Sequence, residues 1–194
     1  PELGRSRRDA MRSHVTTVSD LAAATADDFK EDGKVIFTGI GDSSLTKFLR
    51  RARLLAASDA SPYAYETFHL PDHPLELFFD IEVDVMRDVC YLHGFVERRG
   101  GDDETERFVY FFAETPDAAG ERQAFAEAIA YMQASQPCAT YYYSHYEKTL
   151  YRKLQEKYPD VCSPEDIEAL FDPTHCVDLY TAVVRKATEW PTND

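Results

Sequence analysis

Leu75-Glu76-Leu77-Phe78-Phe79-Asp80-Ile81-Glu82 sets two carboxylates two residues apart at the end of an apolar run. In a strand, residues i and i+2 point to the same face. Asp80 and Glu82 are therefore expected side by side on a buried strand. Like charges held that close are costly unless something neutralises them, and a divalent cation is the usual solution. Hard cations select oxygen ligands, and Mg²⁺ or Mn²⁺ between carboxylates is the arrangement that activates water against a phosphodiester. The pair thus points to metal-dependent phosphodiester chemistry. The competing reading is a strand end with solvated acids. Asp84 shares the face and is a weaker candidate.

Two further acids stand at expected strand ends. Glu147 follows a strand ending at Tyr143 and opens a helix. Asp178 ends the strand Cys176-Val177-Asp178. With Asp80 and Glu82 they form a candidate catalytic and metal-binding set for a two-metal site. Each also has a plain structural reading, since an acid in the first turn of a helix is favoured by the dipole and an aspartate caps helices well. His145 and the tyrosines at 141–143 adjoin Glu147 and suit stacking or positioning of a nucleic acid; tyrosine also simply favours strands.

A second constellation is basic. Gly39-Ile40-Gly41 precedes a helix on which Leu45, Phe48, Leu49, Ala52 and Leu55 share one face, with Lys47, Arg50, Arg51 and Arg53 around the rest. Glycines permit a tight turn, and free N–H groups at a helix start can receive a phosphate. Gly39, Gly41, Lys47, Arg50, Arg51 and His145 are the candidate nucleic-acid contacts. The alternative is a helical hairpin with a packing role.

The elements that must position these residues follow from the pattern. Residues 5–55 read as helices, with Thr17/Asp20 and Thr25/Asp28 as two N-terminal signals. Residues 1–58 are taken as a helical module and 59–74 as a linker rich in Ser, Asp, Pro and His. From residue 75 strands are expected at 75–83, 89–98, 107–113, 139–143 and 176–178. Helices are expected at 116–135, 146–157, 164–171 and 179–188. The order βββαβαβα gives an antiparallel meander extended by parallel strands through helical crossovers, an α/β fold of ribonuclease-H-like type.

Composition bounds the rest. The 194 residues suit one ordinary domain plus a small module. The first 60 residues carry ten Lys/Arg against nine Asp/Glu, a charge of +1, and the remainder eleven against twenty-six, a charge of −15, for a net −14. Such a body argues against tight nonspecific nucleic-acid binding by that part alone, while bound metals can offset a carboxylate-rich site. No apolar run reaches the roughly 20 residues of a bilayer span. Four separated cysteines without a C-x-x-C pair suit reduced thiols in the cytoplasm.

These strings together resemble a known family. Phe78-Phe79-Asp80-Ile81-Glu82, Tyr91-Leu92-His93-Gly94, Tyr142-Tyr143-Ser144-His145-Tyr146-Glu147-Lys148-Thr149 and Val177-Asp178-Leu179-Tyr180 resemble the ribonuclease-H-like, DnaQ-like exonuclease domain at the end of RecB-family nucleases. Thr16-Thr17-Val18-Ser19-Asp20-Leu21 with Gly39-Ile40-Gly41 is similar to a helix-hairpin-helix module. The resemblance implies a 3′–5′ exonuclease with two Mg²⁺ or Mn²⁺ ions, acting on DNA, with Asp80 and Glu82 in the first motif, Glu147 in the second and Asp178 following it. It also implies a last acidic residue on a later helix and a separate nuclease domain upstream. This chain offers neither, so residues 75–194 are expected to be a C-terminally truncated exonuclease domain, with other domains of a longer nuclease as partners. The alternative expectations are a noncatalytic nucleic-acid-binding or scaffolding fragment and, third, a protein-interaction domain.

Overall fold

In the computed structural model, residues 3–191 are described. The first unit takes in the chain up to Thr67 and returns at Ala187; the second is Phe68–Lys186.

The first unit starts with α1 (Arg5–Met11) and α2 (Val18–Ala23). Thr17 and Asp20 cap α2 reciprocally, each side chain accepting the other's backbone N–H, which satisfies two donors left open at the helix start. Thr25 and Asp28 open only one 3-10 turn, Asp27–Phe29. The chain then forms a hairpin of β1 (Lys30–Glu31) and β2 (Lys34–Val35). Asp32 and Gly33 both take positive φ, the conformation an Asp-Gly hairpin turn requires. The all-helical expectation for residues 5–55 thus gives way at Asp32-Gly33. α3 (Asp42–Ala56) buries Leu45, Phe48, Leu49 and Ala52 against Met11, Leu21, Phe29, Phe37 and Ile40. Arg53 on α3 donates to the carbonyls of Ala22 and Ala24, closing the end of α2.

The stretch expected as a linker holds β3 (Tyr63–Ala64). The second unit contributes β4 (Leu75–Asp84), β5 (Val89–Arg99), β6 (Asp102–Phe112), α4 (Ala118–Ala134), β7 (Ala139–Tyr142), α5 (Tyr146–Lys157), α6 (Pro164–Leu170) and β8 (Cys176–Asp178). The order across the sheet is β6-β5-β4-β7-β8. β4, β5 and β6 pair antiparallel, and β7 and β8 add in parallel through helical crossovers. Gly100 and Gly101, both at positive φ, make the tight turn between β5 and β6. This is the expected α/β architecture, with β4 at the centre of the sheet.

The helix expected at 179–188 forms only in part. A π-helical turn, Tyr180–Arg185, follows β8, and the chain enters β9 (Thr188–Glu189), which pairs with β3 in the first unit. From Ala187 the chain groups with the first unit, and residues 192–194 of the expected exonuclease domain, like residues 1–2 of the expected helical module, lie outside the described residues. The Glu189 carboxylate explains the switch. It is fully buried and accepts from Arg50 Nε at 2.7 Å and Arg51 Nε at 2.5 Å. A buried carboxylate needs such partners.

One face of the sheet carries the core. Leu77, Phe79 and Ile81 of β4 are buried with Phe125, Ile129 and Met132 of α4 and Tyr151 and Leu154 of α5. Phe79 stacks on Phe95 at 4.9 Å and meets the Tyr151 edge at 5.1 Å. Tyr151 also touches Phe125 and Phe171, and its hydroxyl shares a 3.0 Å hydrogen bond with His93 Nδ1. Burial pulls His93 down to about 4, so the imidazole is neutral there. α4 starts at Asp117, whose carboxylate accepts from Ala119 and Gly120 N–H. A Cβ at Gly120 would lie 2.2 Å from the Thr115 carbonyl oxygen, so only glycine fits this close turn. Buried Glu121 then accepts from Cys90 N–H, Lys157 Nζ and Tyr158 hydroxyl, tying β5, α4 and α5 together.

Tyr151→Ala should cost about 3–5 kcal/mol of stability, since it empties a large buried volume, and Tyr151→Phe about 1 kcal/mol through the lost hydrogen bond. Urea unfolding followed by far-UV circular dichroism measures both. Equal losses would mean that the hydroxyl, not the ring, carries the contact.

Candidate active site

The alternation along β4 decides where its acids go. With Leu77, Phe79 and Ile81 turned into the core, Asp80 and Glu82 are turned to the other face, and both are exposed. Asp80 Oδ1 accepts the Ile81 N–H at 2.9 Å. The register pairs Asp80 with Gly94 and Glu82 with Leu92. β4 pairs with β7 only as far as Phe78, opposite Tyr141, so the chain around Asp80 extends past the end of β7. Asp84 is engaged otherwise: it closes the β4–β5 turn by accepting from Met86 and Arg87 N–H and from the Arg87 guanidinium at 2.5 Å.

Glu147 lies in the first turn of α5 and is only 3% exposed. Its Oε2 has no hydrogen-bond partner. Burial pushes its carboxyl up to about 7, the charges of Asp80 and Asp178 push the same way, and the backbone amides of Glu147 and Tyr143 oppose them. Glu147 opens the helix after β7, Asp178 ends β8, and Asp80 lies on β4 past the end of its pairing with β7, so the three acids belong to one end of the sheet.

Asp178 closes β8 and is well satisfied. Its Oδ1 accepts Ser144 N–H and Thr181 N–H, each at 3.0 Å, and its Oδ2 accepts the Thr181 hydroxyl at 2.7 Å. Burial opposes its charge, but these bonds and His145 outweigh it and hold Asp178 below the usual carboxylate range. His145 Nδ1 stands 3.5 Å from Asp178 Oδ2, and the imidazole is exposed. Asp178 thus both borders the site and fastens the β7–α5 loop to the turn after β8.

The first-unit candidates are placed differently. Gly39 takes φ 76°, and Gly41 is the N-cap of α3. The helix start already has an anion, because Asp42 in its first turn pairs with Lys30 at 2.6 Å. Arg50 and Arg51 are bound to Glu189, and the Arg50 guanidinium also covers the Tyr65 ring at 3.5 Å. Lys47 is half-buried on α3. Residue types alone did not disclose Glu189 as the partner of the two arginines, 138 and 139 residues away.

As the side chains stand, no three His, Cys, Asp or Glu groups among the described residues close around a point to enclose a metal ion. The donor chemistry nevertheless suits a hard divalent cation: the acids offer oxygens only, and Glu147 Oε2 is a buried lone carboxylate oxygen for which a cation would be the natural partner. Thr181, Ser144 and Tyr180 were not singled out by the sequence reading. An Asp-x-x-Thr spacing at 178–181 is the signal that could have found the first of them.

Three antiparallel strands continued by two parallel ones, with acids at the ends of the first, fourth and fifth, define a ribonuclease-H-like domain. The RNase_H superfamily model matches residues 77–193, more than half of the chain, and the chain belongs to that superfamily. Neither the curated proteins nor the solved structures gave a match. The superfamily is one of hydrolytic nucleases, which connects this chain to nucleic-acid chemistry.

The protonation of Glu147 gives a signed prediction. Its folded pKa of about 7 exceeds its ordinary 4.5, so its contribution is fully present below 4.5 and is lost as pH rises through 7. In metal-free buffer Glu147→Gln should therefore be more stable than wild type at pH 8, by up to about 3 kcal/mol, and equal to it near pH 4.5. Urea titrations at the two pH values test this. A pH-independent difference would refute it.

Proposed function

We propose that the second unit is a metal-dependent nuclease domain that hydrolyses nucleic-acid phosphodiester bonds, with DNA as substrate and 3′–5′ exonuclease-like action. One observation carries the reading: the buried, unpartnered Glu147 carboxylate beside Asp80 and Asp178 at the end of the sheet. Asp80 and Glu82 would hold one Mg²⁺ or Mn²⁺ from the central strand, and Glu147 with Asp178 would complete a two-metal set. When bound, such ions supply an activated water and stabilise the leaving oxygen.

The residues themselves have distinct tasks. Glu147 must lose its proton before it can act as a ligand, so cation binding is expected to release a proton near neutral pH. Asp178 keeps its negative charge through its hydrogen bonds and adds to the field that attracts a cation. His145, exposed beside Asp178, is positioned to meet a phosphate or a base. DNA, the 3′–5′ direction and the RecB-family relationship rest on the resemblance of the four strings. The helix-hairpin-helix reading of the first unit rests on the capped α2 and on Gly39 and Gly41 ahead of α3.

Mn²⁺-dependent degradation of end-labelled single-stranded DNA tests the proposal. Asp80→Asn and Glu147→Gln should each reduce the rate by about 100-fold or more, the consequence of losing several kcal/mol of charge stabilisation. Cleavage that persists in both variants would refute the site. Binding without cleavage by wild type would favour the noncatalytic nucleic-acid-binding reading.

A further inference from the structure

The run Tyr141-Tyr142-Tyr143 divides sharply. Tyr141 and Tyr142 are buried in the sheet, whereas Tyr143 is 59% exposed. Tyr146, at the start of α5, is 52% exposed. An isolated surface tyrosine carries no message, but Tyr143 is not isolated. Its ring meets that of Tyr180 at 5.4 Å with an interplanar angle of 57°, and the Arg185 guanidinium lies 5.9 Å from the Tyr180 centroid. Arg185 has no carboxylate partner among the described residues.

The backbones that carry the two rings are fixed by Asp178. Ser144, held at φ 86°, donates its N–H to Asp178. Tyr180 is two residues past Asp178, and Thr181 returns two hydrogen bonds to the same carboxylate. One carboxylate therefore fastens both ring-bearing segments, and the rings are held next to Asp178. Nucleic acids in single-stranded form are gripped by aromatic faces for the bases and cations for the backbone, and stacking is tolerant of sequence because every base has a π-face.

We propose that Tyr143, backed by Tyr180, is the stacking platform for an unpaired base next to the scissile phosphodiester, with Arg185 meeting the adjoining phosphate. The proposal rests on the nuclease reading of the same site and names its substrate class: single-stranded nucleic acid or frayed ends. A base still paired inside a duplex has its faces covered by its neighbours and cannot use the platform.

The test is binding, which does not depend on cleavage. Fluorescence anisotropy of a labelled oligothymidylate with Ca²⁺ present compares wild type with Tyr143→Ala, Tyr143→Phe and Arg185→Ala. Loss of one stacked base should weaken Tyr143→Ala by roughly 5- to 150-fold. Tyr143→Phe should bind like wild type, and an abasic strand should bind wild type and Tyr143→Ala with equal weakness. Arg185→Ala should flatten the salt dependence. Unchanged affinity in Tyr143→Ala would overturn the proposal, as would equal losses in the Ala and Phe variants or no binding of single strands by wild type. Mn²⁺-dependent cleavage by wild type is scored separately, so the nuclease reading can fail while the platform stands, and the reverse.

Discussion

The two-residue period of β4 is the constraint on which the second unit depends. Leu77, Phe79 and Ile81 fix its rotation by entering the core, and Phe79 is held between Phe95 and Tyr151. A slip of one residue would bury Asp80 and Glu82 and expose three large apolar side chains. The central place of β4 then does the rest. Strands on both sides hold it, so its acids cannot drift relative to the ends of β7 and β8. The aromatic cluster around Tyr151 is thus the support for carboxylates on the opposite face of the sheet.

The two acids contributed from beyond β4 are treated in opposite ways. Asp178 is surrounded by donors, keeps its charge and costs the fold little. Glu147 is buried without a partner for one oxygen, an arrangement that structural acids avoid, as Glu121 and Glu189 show with their cationic partners. Glu121, equally buried, is held below the usual carboxylate range by Lys157, Tyr158 and the Cys90 amide, whereas Glu147 is raised. Stability is sacrificed at the position where a ligand would recover it, the usual pattern when a site is built for something the chain alone does not supply.

Much of this was legible in the sequence because it is local. The alternation in β4, the Gly100-Gly101 turn, the capping at Thr17 and the helical patterns of α4 and α5 are all set by neighbours within a few residues. The β1–β2 hairpin was also local, in Asp32-Gly33, but two-residue strands give too little alternation to be seen. What stayed hidden was long-range. Arg50 and Arg51 read as free cations until Glu189 folds back beside them, and the same return draws β9 out of the helix expected at 179–188. Lys47, Gly39 and Gly41 remain candidates on sequence grounds. In the tyrosine run, strand propensity describes Tyr141 and Tyr142 equally well, and only the end of β7 separates Tyr143 from them.

The placement of the cysteines has a consequence for their reactivity. All four are free. Cys90 and Cys176 are buried, and desolvation pushes both thiols up to about 12. Cys138 and Cys162 are raised as well, for the same cause. Thiolate is the species that oxidants and disulfides attack, and these sulfurs scarcely form it at neutral pH. The packing that builds the core therefore also keeps the thiols protonated and slow to react. The spacing of the cysteines in the sequence thus matters less than their burial, which sets how fast each sulfur can be attacked.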